Sequence, residues 1–197
     1  MPAGDVIFQR MDVARDAEMA AIARALQQDK SYAKQKSKPE QLDLLSRELR
    51  KDAGSAFRNW FRNDHDLSYV AILEDVATKA ADAAGWSRPK VSAEANIERA
   101  ENYIVRAFAF AATKKRPASK EEALQAQEIA EAELDREVGS SGASKALLIA
   151  SYMTLSTPTG LALWIASPAM RRVTPAVLVL IHIRYRLEAE ARLGGAP

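Results

Sequence analysis

The chain has 197 residues, 48% hydrophobic and 27% charged, with a net charge of +2. That balance suits one domain with a substantial core and is unlike that of a disordered chain. There is no cysteine, which excludes disulfides, thiolate catalysis and cysteine-based zinc sites.

Residues 1–15 show no clear period, and the first ten lack the basic start and apolar stretch of a signal peptide. The expected location is the cytoplasm or the inner face of the membrane. From Asp16, a capping candidate, Met19, Ile22, Ala23 and Leu26 recur at helical spacing and predict a short amphipathic helix. Asp29 to Lys38 is polar, with Lys30, Lys34, Lys36 and Lys38 around Tyr32, and reads as a solvated connection.

Pro39 is placed to open the next helix, with Leu42, Leu45 and Leu49 on one face and Gly54 as its stop. Ser55 is then a cap candidate for a short aromatic helix carrying Phe57, Trp60 and Phe61. Asn63 to Asp66 is a turn. Asp66 is positioned to cap a helix running to about Ala84, with Val70, Leu73, Val76, Ala77 and Ala80 inward and Gly85 ending it. A longer helix is expected from Ser92, with Ile97, Ala100, Ile104, Phe108 and Ala111 inward. Ser119 to Glu122 reads as a capping box opening an acidic helix to about Val138.

Three parts follow: a charged helical layer over 1–138, a Gly/Ser linker over 139–145, and an apolar helical hairpin over 146–193. The fold class is all-α, a multi-helix globular domain, because no β alternation, heptad or repeat is present. The hairpin rests on Ala146 to Met170, twenty-five residues without a charge, and on the apolar run Val173 to Ile183. A spanning helix needs about 20 apolar residues. Here Ser156 to Gly160 breaks the run, and Thr157-Pro158, Ser167-Pro168 and Thr174-Pro175 each pair an N-cap hydroxyl with a first-turn proline. Short helical pieces joined by turns are expected instead. No acid lies between Glu137 and Glu188. Arg171, Arg172, Arg184 and Arg186 therefore either reach out of a buried hairpin to water or meet an anionic surface.

Chemical signatures are sparse. Asp64-His65-Asp66 has metal-ligand residue types, but adjacent positions diverge and no second histidine stands at helical spacing. His182 lies in an apolar run, where a satisfied core histidine is the ordinary case. Glu74 and Asp75 are neighbours in sequence and do not face one another on a helix. No phosphate-binding glycine loop or nucleophile elbow is present. The expectation is a protein that is not an enzyme, with no cofactor, no metal, no nucleic-acid partner and no small-molecule substrate. A hydrolase would need a deep pocket joining Asp64, His65 and Glu74.

Gly54-Ser55, Asn59, Arg62, Tyr69, Ile72-Leu73, Asp75-Val76 and Lys79, followed by Arg172-Val173-Thr174-Pro175-Ala176-Val177-Leu178, resemble the pattern of the YaaW-type family. These are bacterial proteins often labelled as similar to ubiquinol-cytochrome c chaperones. The glycine-rich apolar region of that family is replaced here by Thr-Pro and Ser-Pro breaks. The resemblance implies an all-helical, non-enzymatic, chaperone-like protein and picks out Asn59, Arg62, Tyr69, Asp75 and Lys79, either as a helix-packing network or as a partner site. The functional expectation is an interaction protein that uses its C-terminal hairpin on a protein partner or an anionic membrane surface. The alternative is a membrane-inserting effector that acts as pore-forming proteins do.

Overall fold

The computed structural model describes residues 5–56, 67–87, 97–112 and 168–194. The described residues form seven helices and no strand, so the protein is all-α. The predicted aromatic helix, the acidic helix, the 139–145 linker and residues 146–167 of the hairpin lie outside the described residues, as do Asn59, Arg62 and the Asp64 to Asp66 turn.

Helix α1, Val6–Asp12, is one the periodicity did not announce. Asp5 caps it, accepting from the Ile7 N–H at 3.1 Å, and Ile7 and Met11, one turn apart, are fully buried. Helix α2, Asp16–Ala25, opens with the Glu18 carboxylate reaching back to the Arg15 N–H at 2.7 Å. It closes with Gln27 at φ 57°. There the Gln28 N–H donates to the Ala23 carbonyl at 2.8 Å and the Gln27 N–H to the Arg24 carbonyl at 3.0 Å, the left-handed closure normally given to glycine. Within the stretch read as a connection, Asp29–Tyr32 forms one helical turn, α3.

Helix α4, Lys38–Ala56, has Pro39 in its first turn, close to the expected start, but does not stop at Gly54. Gly54 and Ser55 both lie inside it, and the Ser55 hydroxyl donates back to the Asp52 carbonyl at 2.9 Å. Its buried stripe is Leu42, Leu45, Leu49 and Ala53. Glycine in a helix interior costs only about 1 kcal/mol. Burying a single leucine returns about 1.5–3 kcal/mol, so packing carries the helix through Gly54. Helix α5, Tyr69–Ala84, is capped by Ser68 rather than Asp66, with the hydroxyl accepting from the Ala71 N–H at 3.2 Å. It ends as predicted on Gly85, whose φ of 71° suits a residue without a side chain. Helix α6 is Ile97–Ala112, with Ala100, Ile104 and Phe108 inward.

Helix α7, Met170–Gly194, starts two residues after Pro168, whose turn was legible. The Thr174-Pro175 start signal is overruled: the helix runs continuously through Pro175. Proline removes one intrahelical hydrogen bond. The surrounding burial is large enough to offset that loss, because Val173, Ala176, Val177, Leu180, Ile181 and Ile183 are all wholly buried. A helix apolar on nearly every side belongs at a centre. Helices α1, α2, α4 and α5 all pack on α7, and α6 lies along α5. The described part of the predicted hairpin is therefore core. None of the described helices is long and apolar enough to cross a membrane.

Candidate functional site

The polar groups of interest are gathered where α7 meets the older helices of the chain. Ion pairs buried in an apolar core must be partnered almost completely, because a lone buried charge carries a heavy desolvation cost. Three clusters along α7 pair their charges, although Glu101 Oε2, Arg184 Nε and His182 Nδ1 have no hydrogen-bond partner among the described residues.

At its start, Arg172 binds Asp52 of α4 with both nitrogens, Nε to Oδ2 and Nη2 to Oδ1, each at 2.7 Å. This fork-to-fork geometry fixes direction as well as distance. The guanidinium is held above its ordinary value, first by the hydrogen bonds to Asp52, against partial burial.

Further along, Arg184 turns to α6. Its Nε lies 2.6 Å from Oε2 of Glu101, a residue with no exposed surface. The other carboxylate oxygen of Glu101 accepts from the Tyr69 hydroxyl at 2.6 Å and from Arg10 of α1. Arg10 also donates to the Tyr69 oxygen at 2.8 Å. Arg184 extends to Asn102 Oδ1 at 2.8 Å, an oxygen that also accepts from Tyr185, and to Glu188 at 2.7 Å. Burial, and then the Glu101 charge, push the Tyr69 phenol well above its ordinary range, so it remains a proton donor. Burial opposes the charge on Arg10, but Tyr69 and Glu101 outweigh it and the guanidinium value is raised.

Two residues later, Arg186 turns the other way, to α2. It donates to Glu18 at 2.8 and 3.0 Å, to the Val13 carbonyl at 3.1 Å and to Glu190 at 3.0 Å. Arg15 reaches Glu190 at 2.5 Å. Burial would raise Glu18, yet the hydrogen bonds from Arg186 and from the Arg15 backbone draw it below the usual carboxylate range. His182 stands one turn before Arg186, with Nε2 3.6 Å from Glu18.

Of the residues singled out from sequence, Tyr69, Arg172, Arg184 and Arg186 enter these clusters. The three arginines do not reach out to water; they end on Asp52, Glu101 and Glu18, and this corrects the reading of them as solvent-directed. Arg171 is exposed on the first turn of α7, and Lys79 is exposed on α5, 3.7 Å from Asp82. Asp75 is half-buried on α5. The structure thus brings Tyr69 together with Arg184 but not with Asp75 or Lys79. Sequence reasoning passed over Arg10, Glu18, Asp52, Glu101 and Asn102. A signal was present: Glu101 is four residues after Ile97 and three before Ile104, Asp52 three after Leu49, and Glu18 four before Ile22. An acid on or beside an apolar stripe announces a buried partner of opposite charge.

Comparison with protein-family models, curated proteins and solved structures finds no match for this chain. What the chain does has to be argued from its own chemistry. Among the described residues no group of three or more His, Asp or Glu could hold a metal ion. Each of the three clusters ties one helix to another, and their charged groups end on other groups of the same chain.

Proposed function

We propose that this is a non-enzymatic interaction protein of the chaperone-like kind. In this reading the described helices α1 to α7 form a frame, and the uncharged run Ala146–Ser167 meets an apolar segment of a protein partner. One observation carries the choice. Among the described residues Val13 is the only large hydrophobic side chain left exposed, at 48%. The described helices therefore offer no apolar docking face among their own residues, and the long uncharged run is the candidate we favour for apolar contact. The protein partner is preferred to an anionic membrane because Arg172, Arg184 and Arg186 are taken up by internal carboxylates. Cations held in that way add little attraction to a lipid surface.

The test pairs two assays on the full chain and on a Leu148→Ser, Trp164→Ser variant. In the first, the protein is added to a chemically unfolded globular protein and aggregation is followed by light scattering. In the second, it is sedimented with anionic and with neutral vesicles, with dye leakage as a further readout. Suppression of aggregation that the variant loses, with an unchanged thermal midpoint, supports the reading. Vesicle binding with leakage and no suppression replaces it with the membrane-inserting alternative. A collapse of the variant's thermal midpoint assigns the run to the core and removes its role in binding.

A further inference from the structure

We propose that His182 makes the junction between α2 and α7 an acid-sensitive latch, closed when the imidazole is neutral and loosened when it takes a second proton. The case rests on what surrounds the ring. His182 sits on α7 facing the start of α2, with 23% of its side chain exposed. Its Nε2 approaches Glu18 Oε1 at 3.6 Å, too far for a hydrogen bond. Its Nδ1 is buried and has no hydrogen-bond partner among the described residues. A neutral imidazole tolerates this, because one ring nitrogen then carries no hydrogen. An imidazolium does not, since both nitrogens become donors and one of them would be buried without an acceptor.

The charges point the same way. The groups facing the junction are Glu18 and Arg15 from α2 and its cap, and Arg186 and Glu190 from α7 itself. From the end of α1 comes only the Val13 carbonyl, taken by Arg186. Two acids and two arginines balance, and both Glu18 oxygens already accept from Arg186. A protonated His182 would make the cluster net positive and compete with Arg186 for the same carboxylate.

The direction of the pH effect follows. Burial first, and then Arg186 and Arg15, hold His182 below its ordinary 6.5, while Glu18 pulls the other way without prevailing. In the window between the lowered folded value and 6.5 the unfolded chain binds more protons than the folded one. Stability is therefore complete above pH 6.5 and falls as the pH drops through the folded-state value.

The experiment measures urea unfolding of the full chain at about pH 7.5 and about pH 5.5, where histidine is the side chain that titrates. It is run beside H182Q and H65Q, since the chain has two histidines. The native chain and H65Q are expected to lose midpoint at the lower pH, and H182Q to lose less. Equal loss in native and H182Q chains overturns the proposal, as does disappearance of the loss in H65Q. Should H182Q fail to fold, imidazole NMR titration of the native chain decides. A His182 midpoint below 6.5, with faster amide exchange over the second half of α7 in the protonated form, supports the latch. A midpoint at or above 6.5 overturns it.

Discussion

The Tyr69 hydroxyl and the Glu101 carboxylate meet 2.6 Å apart across α5 and α6, sealed between Arg10 and Arg184. The acid faces two cations at no exposed surface. Replacing it by Glu101→Gln takes the counter-charge from Arg10 and leaves Arg184 only Glu98 and Glu188, at an expected cost of about 3–5 kcal/mol. Tyr69→Phe removes two hydrogen bonds, one donated to Glu101 and one accepted from Arg10, but no charge, and is expected to cost about 1–3 kcal/mol. Urea unfolding of the two variants measures both, and comparable losses would show that Glu101 does not carry the network.

The Arg172 to Asp52 fork is less sealed, with 28% of the arginine side chain exposed. Asp52→Asn keeps the shape and removes the charge, for an expected loss of about 1–2 kcal/mol. A double-mutant cycle with Arg172→Gln isolates the pair, and its coupling should shrink in high salt.

Thr174 gives a prediction of the opposite sign. Its hydroxyl is wholly buried in α7 with no hydrogen-bond partner among the described residues. Thr174→Val keeps the shape and removes the stranded polar group, so stability should rise by about 1 kcal/mol. A fall in the thermal midpoint would mean that the hydroxyl is satisfied.

Gln27 closes α2 in the left-handed region and is exposed, so its side chain contributes little packing there. Gln27→Gly relieves the backbone and should raise stability by about 0.5–1 kcal/mol, read from the same unfolding curves.

Glu18 sets the acid limit of the same junction that His182 governs. Its folded value lies below the ordinary 4.5, so its contribution is complete above that pH and is lost as the pH falls through the lowered value. Glu18→Gln is expected to flatten the unfolding curve below about pH 4.5 and, by removing the charge that pulls His182 upward, to lower the histidine value further.

Helix class, the inward stripes of α2, α4, α5 and α6, and the Gly85 stop were legible because a 3.6-residue period and a left-handed glycine are local signals. Helix α1 was not, since seven residues with two buried side chains carry too little periodicity. Gly54 and Thr174-Pro175 misled for one reason: each is a helix breaker in isolation, and in each place burial across the core outweighs the local cost. The acids of the ion-pair clusters were marked by their place on or beside apolar stripes, but the pairings were not legible, because a charge shows its sequence position and not its partner. Arg172, Arg184 and Arg186 drew notice as cations without neighbouring acids, whereas their acids come from α4, α6 and α2.

Every cluster on α7 also joins amino acids translated far apart in time. Asp52 precedes Arg172 by 120 positions, and Glu18 precedes Arg186 by 168. At a synthesis rate of about 5–20 residues per second, Glu18 waits roughly ten to thirty seconds for its arginine. Until α7 is made, Glu18 and Asp52 lack the arginines that pair them in the folded chain, whereas Glu101 already has Arg10. An unpaired carboxylate resists burial, so the early helices have a reason not to close on one another before α7 arrives.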